Sequence, residues 1–180
     1  MPRRFRLSRR TLVPGFVVLL LAAGFGLYLF QPWKALTSTT VNEALPSASA
    51  PSAKEPGTST AQPAGPRNLA EGRFVTHEHA TTGTARTVRL TDGGQVLRLE
   101  DLKTSEGPDV RVYLSTREAG AVKTGLGDGA VELGKLKGNL GNQNYAVPRG
   151  TDLSKFRSVV IWCARFSVSF GAANLASAAA

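Results

Sequence analysis

The chain has 180 residues, a formal net charge of +9 and a single cysteine. One cysteine excludes an intramolecular disulfide, so the fold must be held together by its core. The charge does not indicate a nucleic-acid-binding protein, because residues 68–180 hold 14 lysines and arginines against 11 acidic residues and the other +6 lies before them. These charges are interspersed, as on a solvated surface, and we expect no nucleic-acid partner.

The first 30 residues have the pattern of a membrane anchor. Residues 1–11 form a basic tail without an acidic residue, and residues 12–30 carry no charge. A helix of 19 residues is about 28 Å long, close to the thickness of the hydrocarbon core. Because arginines precede the apolar run and only Lys34 soon follows it, we expect a single pass through the cell membrane, with a cytoplasmic N-terminus and an extracytoplasmic C-terminal domain. The lipid bilayer is then a partner through residues 12–30.

Two export signals are alternatives to a plain anchor. The apolar run is longer than the usual core of a signal peptide, and no clean small-x-small site follows it directly, so we favour an uncleaved anchor. Residues 8–12 also resemble the centre of a twin-arginine signal. We favour the simpler interpretation that these arginines set the topology.

Residues 31–67 have the composition of a linker. Prolines recur among Ala, Ser and Thr, and few large apolar side chains are present. Such a segment cannot bury enough apolar surface to offset the entropy lost on folding. We expect a disordered stalk that holds the following domain away from the bilayer.

Residues 68–180 have the pattern of short β-strands. The stretch from Arg73 to Ala80 is a plausible first strand, and alternating residues on both sides of Asp92-Gly93-Gly94 predict a hairpin. The run from Val159 to Ala164 predicts a strand that is buried on both faces. One helical turn is expected from Leu153 to Phe156. About seven strands without sustained helical periodicity predict an all-β, antiparallel β-sandwich-like domain.

Several motifs of this domain resemble the DM13 domain. They are Gly107-Pro108-Asp109, then Leu136-Lys137-Gly138-Asn139 with Gln143-Asn144-Tyr145, then Val160-Ile161-Trp162-Cys163 with Phe166 and Phe170-Gly171. Gly72-Arg73-Phe74 and His79 are similar to the opening of the family. The resemblance implies a β-sandwich-like fold with a characteristic cysteine, and electron transfer through a bare thiol or a bound haem.

Cys163 is the residue that the resemblance identifies as functional. It is expected to be a redox thiol or a ligand, and continued strand alternation places it on the face of Arg165 and Ser167, where a guanidinium would favour the thiolate. A buried cysteine that acts as a small hydrophobe is the alternative, since its neighbours are apolar. A third possibility is an intermolecular disulfide.

The two histidines, His77 and His79, are spaced to share one face of a strand. They could form half of a metal site, but we favour the interpretation that they are an exposed polar pair near a strand end. His79 is the better candidate for a secondary ligand, for example to a non-covalent haem. The residue types present exclude several cofactor sites held by this chain alone: covalent c-type haem, methionine ligation in the domain, a zinc site and an iron–sulfur cluster. A blue-copper site is disfavoured.

The sequence thus predicts a membrane-tethered accessory redox domain centred on Cys163, which would need a redox partner protein. The alternative is a non-enzymatic cell-surface binding module with a structural cysteine. No acid–base or nucleophile–base pair suggests a catalytic site, so we expect no catalytic residues.

Overall fold

A computed structural model of the chain describes residues 9–35, 37–46 and 65–178. Helix α1 (Arg9–Phe30) is followed by a short 3₁₀ turn, Pro32–Ala35. The stretch Val13–Lys34 contains a window of 18 residues with a mean hydropathy of 2.2 and is long and apolar enough to span a membrane. Most of the predicted basic tail, and residues 47–64 of the predicted linker, lie outside the described residues.

The described part after α1 is built mainly of β-strands. Two further 3₁₀ turns, Ala119–Ala121 and Leu153–Lys155, interrupt them, and the second confirms the predicted helical turn. The ten strands are β1 (Thr40–Asn42), β2 (Arg67–Thr76), β3 (Thr82–Arg89), β4 (Gln95–Lys103), β5 (Val110–Ser115), β6 (Val131–Lys135), β7 (Leu140–Ala146), β8 (Ser158–Cys163), β9 (Val168–Asn174) and β10 (Ala176–Ser177).

The strands form one curled sheet in the order β1-β7-β4-β3-β2-β9-β8-β5-β6, with β10 beside β2. Strand β2 joins the two halves of the sheet, because its first part pairs with β3 and its last residues, Phe74–Thr76, pair with β9. All neighbours are antiparallel except β1 and β7, which are parallel. The all-β, sandwich-like class predicted from alternation is therefore confirmed, as a half-barrel whose two halves face one another.

The main core lies between the two halves of the sheet. Side chains of β4, including Leu97 and Leu99, meet side chains of β5 and β8 there, and all of these are buried. A second, smaller cluster covers the outer face of β8, where Val160 and Trp162 pack against Val122, which follows the 3₁₀ turn Ala119–Ala121. Strand β8 is consequently buried on both faces, as its unbroken apolar run predicts.

The predicted hairpin around Asp92 is confirmed, and the predicted first strand is displaced. Strands β3 and β4 pair from Arg89↔Gln95 onward, and Asp92 Oδ1 accepts a hydrogen bond from Gly94 N at 2.8 Å. Strand β2 begins at Arg67, not Arg73, and ends at Thr76 instead of continuing to Ala80. The alternation of apolar and polar residues located β2 along the chain, whereas the length of β2 is set by its pairing with β3 and β9.

The structure differs from the predicted stalk over residues 37–46, which we call the strap. Strap residues Thr40–Asn42 form β1 on the edge of β7, and Glu43 N donates to Asn142 O at 2.9 Å. Lys137 Nζ lies 2.7 and 2.9 Å from the two carboxylate oxygens of Glu43 and holds the pKa of that carboxyl below its usual value. Specific backbone and charged contacts replace the apolar burial that the strap's composition lacks.

Candidate functional site

Cys163 is the last residue of β8 and its side chain is fully buried. It pairs with Val110 of β5 and Val168 of β9, and it has 0% solvent exposure within the main core cluster. In alternation along β8, Val159, Ile161 and Cys163 enter the main core while Val160 and Trp162 enter the outer cluster. The thiol thus lies among packed apolar side chains, at one end of the sheet.

The expected proximity of Cys163 and Arg165 on one strand face is not observed. Strand β8 ends at Cys163, and residues 164–167 form a turn with Ser167 at a φ of 53°. The turn carries Arg165 to α1, where its Nη1 donates to Leu29 O at 3.3 Å and its guanidinium lies 5.9 Å from the centre of the Tyr28 ring. Because strand alternation stops at the turn, it cannot place Arg165 beside the thiol.

The two histidines do not lie on a strand. Strand β2 ends before them, and residues 77–79 bend across the start of β9, with His77 N and His79 N both donating to Phe170 O. His77 Nδ1 is 2.7 Å from Ser169 Oγ, whereas the His79 ring lies 3.9 Å from the Phe170 ring, centre to centre. The rings therefore engage different neighbours, and no cluster of three potential metal-ligating side chains occurs in the described part of the chain.

The environment of His77 predicts a pH-dependent stability. Burial, with a smaller contribution from Lys123, lowers the pKa of His77 below its ordinary value of 6.5, and Glu78 partly opposes this. The unfolded chain then binds a proton more readily than the folded chain, so the free energy of unfolding falls as the pH drops below about 6.5. Urea titrations at pH 7 and 5.5 measure this loss.

The control variant for this prediction is His77→Asn, whose side chain retains hydrogen-bonding capacity towards Ser169 without titrating. We expect a smaller difference in stability between pH 7 and 5.5 in the variant. Glutamates contribute little to the change in stability between pH 7 and 5.5, because the ordinary pKa of a glutamate is about 4.3. An equal pH dependence in both proteins would contradict the assignment to His77.

A haem bound by Cys163 and His79 does not fit this arrangement. An axial ligand must reach the iron, and the Cys163 thiol is enclosed by the core. Five surface clefts in the described part, with volumes from about 200 to about 850 Å³, are lined by neither Cys163 nor His79. Haem ligation through Cys163 would require the packed end of the sheet to open.

A buried polar network closes the gap between β6 and β7, close to the end of the sheet that carries Cys163. Gln143 has no solvent exposure; its Oε1 accepts hydrogen bonds from Lys137 N, Gly138 N and Tyr145 Oη, and its Nε2 donates to Gly138 O at 2.6 Å. Burial raises the pKa of Tyr145 to about 12. Tyr145 therefore both packs and hydrogen-bonds to the loop.

The sequence did not single out Gln143 as a buried residue, although one signal for it was present. Gln143 and Tyr145 are two apart in β7 and share its inner face. A polar residue on the inward face of a strand next to a Gly/Asn turn is a pattern for a buried side chain that satisfies the turn's backbone groups. The network fixes the loop before β7, against which the strap lies.

Comparison with known proteins gives one result for the domain. A family model described as "Electron transfer DM13" matches residues 73–175, which is more than half of the chain and extends from β2 to the end of β9. The match includes Cys163 and both histidines and leaves out α1 and the strap. No curated protein and no solved structure matched the chain.

Proposed function

Because the chain belongs to the electron transfer DM13 family, we propose that it is a membrane-anchored electron-transfer module whose domain lies outside the cytoplasm. The family supports the redox-related role. Helix α1 is long and apolar enough for an anchor. Five arginines precede its apolar stretch and only Lys34 follows it closely, which by the positive-inside rule favours a cytoplasmic N-terminus.

We assign the redox role to the thiol of Cys163. The observation that carries this assignment is that the stretch matched by the electron-transfer family contains only one cysteine. A single thiol can be oxidised reversibly to a sulfenic acid or to a mixed disulfide with another molecule. A partner protein would supply the oxidising or reducing group. His79 would be a secondary residue of this site, since its ring contacts Phe170, a member of the same core cluster as Cys163.

The burial of Cys163 favours a second candidate, a non-enzymatic cell-surface binding module in which the cysteine is structural. A thiol in apolar surroundings is held in its neutral form and is inert. The complete burial of Cys163 in the main core is the observation behind this candidate. The two candidates differ in whether the thiol reacts while the domain remains folded.

The deciding experiment measures thiol reactivity in the full chain, in detergent micelles. For the redox role we expect that hydrogen peroxide adds one oxygen to the folded protein, that a dithiol removes it, and that Cys163→Ala abolishes the change. For the structural role we expect labelling by a maleimide only at the rate of global unfolding. Cys163→Ser would then lower the free energy of unfolding by about 1–3 kcal/mol, because its hydroxyl is buried without an assured partner.

A further inference from the structure

We propose that the turn 164–167 and the C-terminal end of α1 form one docking surface for the lipid bilayer. This surface, the helix-exit patch, consists of Tyr28, Phe30, Trp33, Arg165 and Phe166. The inference rests on the proposed anchoring by α1. It adds which end of the domain lies on the membrane and which residues make the contact.

Direct contacts join the turn to the helix. The rings of Phe30 and Phe166 stack with their centres 5.8 Å apart and an angle of 22° between their planes. Arg165 donates a hydrogen bond to Leu29 O, a carbonyl in the last turn of α1. Carbonyls in the last turn of a helix lack partners within the helix, and a cation there is favoured by the helix dipole. The turn therefore caps the helix where it would leave the membrane.

The exposed side chains of the patch have the chemistry of a membrane interface. Phe166 is 43% exposed, and Tyr28, Phe30 and Trp33 are each at least 50% exposed. Aromatic side chains with a nearby guanidinium are favoured at headgroup depth, where the rings leave water and the charge stays hydrated. An exposed phenylalanine at the tip of a tight turn has no such compensation in water.

The strap limits how far the domain can move from the helix. Only nine residues separate the end of α1 from β1, and four of them form the 3₁₀ turn Pro32–Ala35. Fully extended, nine residues reach at most about 30 Å. Thr39 N donates to Asn139 Oδ1 at 2.7 Å, and both Thr37 and Thr39 donate hydroxyl hydrogen bonds to Glu106. The strap thus binds the same end of the sheet that carries the turn.

The strand register gives the orientation of the domain on the membrane. Strand β2 ends beside Gly171 of β9 and starts beside Arg89 of β3. The turn 164–167 joins Cys163 to Val168 at the end of the sheet where β2 ends. Strand β7 ends with Ala146 beside Val96, next to the Arg89↔Gln95 pair at the start of β2, so the turn at Arg149 that follows β7 lies at the opposite end. The end of the core that contains Cys163 therefore faces lipid, and a partner that approaches it must itself reside at the membrane.

The test uses the full chain in phosphatidylcholine vesicles whose acyl chains are brominated near the headgroup, which quench nearby tryptophans. In a Trp33→Phe background, Phe166→Trp reports on the patch and Arg149→Trp reports on the opposite end. The emission of Trp162, common to both, is subtracted with the Trp33→Phe protein. We expect the emission added by Phe166→Trp to be quenched by a fraction comparable to that of Trp33 in the wild type, and the emission added by Arg149→Trp not to be quenched.

Each other outcome overturns the inference in a recognisable way. Two results would leave the anchor in place but show that the docked orientation is wrong. In the first, Trp33 is quenched and the Phe166→Trp reporter is not; in the second, the Phe166→Trp and Arg149→Trp reporters are quenched equally. If no site is quenched and sodium carbonate strips the chain from the vesicles, the proposed anchoring by α1 is wrong. A measurement without variants repeats the test: lipid-bound gadolinium in nanodiscs should broaden amide resonances of residues 164–167 and spare those of residues 149 and 150.

Discussion

Gly72→Ala is expected to destabilise the domain strongly, because a Cβ at this position would overlap the backbone of β9. Gly72 lies in β2 opposite Ala85 of β3, just before β2 changes its partner to β9. A Cβ at this position would lie 1.6 Å from Asn174 O and 2.8 Å from the carbonyl carbon of the same residue. Backbone atoms cannot rotate away, so the two halves of the sheet would have to separate locally.

The expected loss is at least about 3 kcal/mol of unfolding free energy, the upper end of the range for over-packed sites. Urea unfolding of the full chain in detergent micelles, in a Trp33→Phe background so that Trp162 is the tryptophan that emits, measures it. Gly120→Ala is the matched control, because a Cβ there meets nothing within 4 Å and the φ of Gly120 is not in the left-handed region. A Gly72→Ala protein as stable as Gly120→Ala would show that the crossing of β2 and β9 is not as close as described.

Gly141→Ala is expected to release the strap while leaving the rest of the sheet folded. Gly141 has a φ of +96°, and a Cβ there would lie 2.2 Å from Val41 O and 2.9 Å from Asn42 Oδ1. The strain of a left-handed backbone costs about 1–3 kcal/mol for a residue with a side chain. The clash adds to this cost only while β1 is docked. Undocking of β1 is therefore the change that removes the clash at the smallest cost in free energy.

Hydrogen exchange detects the release through the amides of Thr39 and Glu43, which donate to Asn139 and Asn142. We expect both amides to lose protection in Gly141→Ala, and residues 37–46 to become a site of proteolysis. Gly150→Ala is the control, since Gly150 has a φ of +83° but no atom within 4 Å of its Cβ position. If both variants lose protection at the strap equally, the backbone strain and not the contact with β1 is responsible.

The strap keeps the β domain close to the end of α1. The described residues between α1 and the β domain do not form a long stalk, because only nine residues separate the end of α1 from β1, which pairs with β7. An electron-transfer module held this close to its anchor would exchange electrons near the membrane surface. The strap variant therefore also tests whether the function needs a fixed orientation, since its release lengthens the tether without touching Cys163.

The apolar helix, the all-β class, the hairpin around Asp92 and the family could all be predicted from the sequence, because each is visible as a local pattern. An uncharged run of 19 residues, alternation with a period of two, and a Gly-rich turn are properties of neighbours along the chain. Burial of β8 on both faces followed in the same way from the unbroken apolar run before Cys163. The position of Gln143 in the core could have been inferred only from its place beside Tyr145.

Three features could be seen only in the folded sheet: the side of β8 that Cys163 faces, the separation of His77 and His79, and the docking of the strap. Strand alternation fails at Arg165 and at His77 because the strands end there, and strand ends are set by partners distant in sequence. The strap has the composition of a disordered segment, yet it is ordered by an edge strand, two glycines and Lys137, all about 100 residues away. Such contacts depend on the assembled sheet, and no local pattern encodes them.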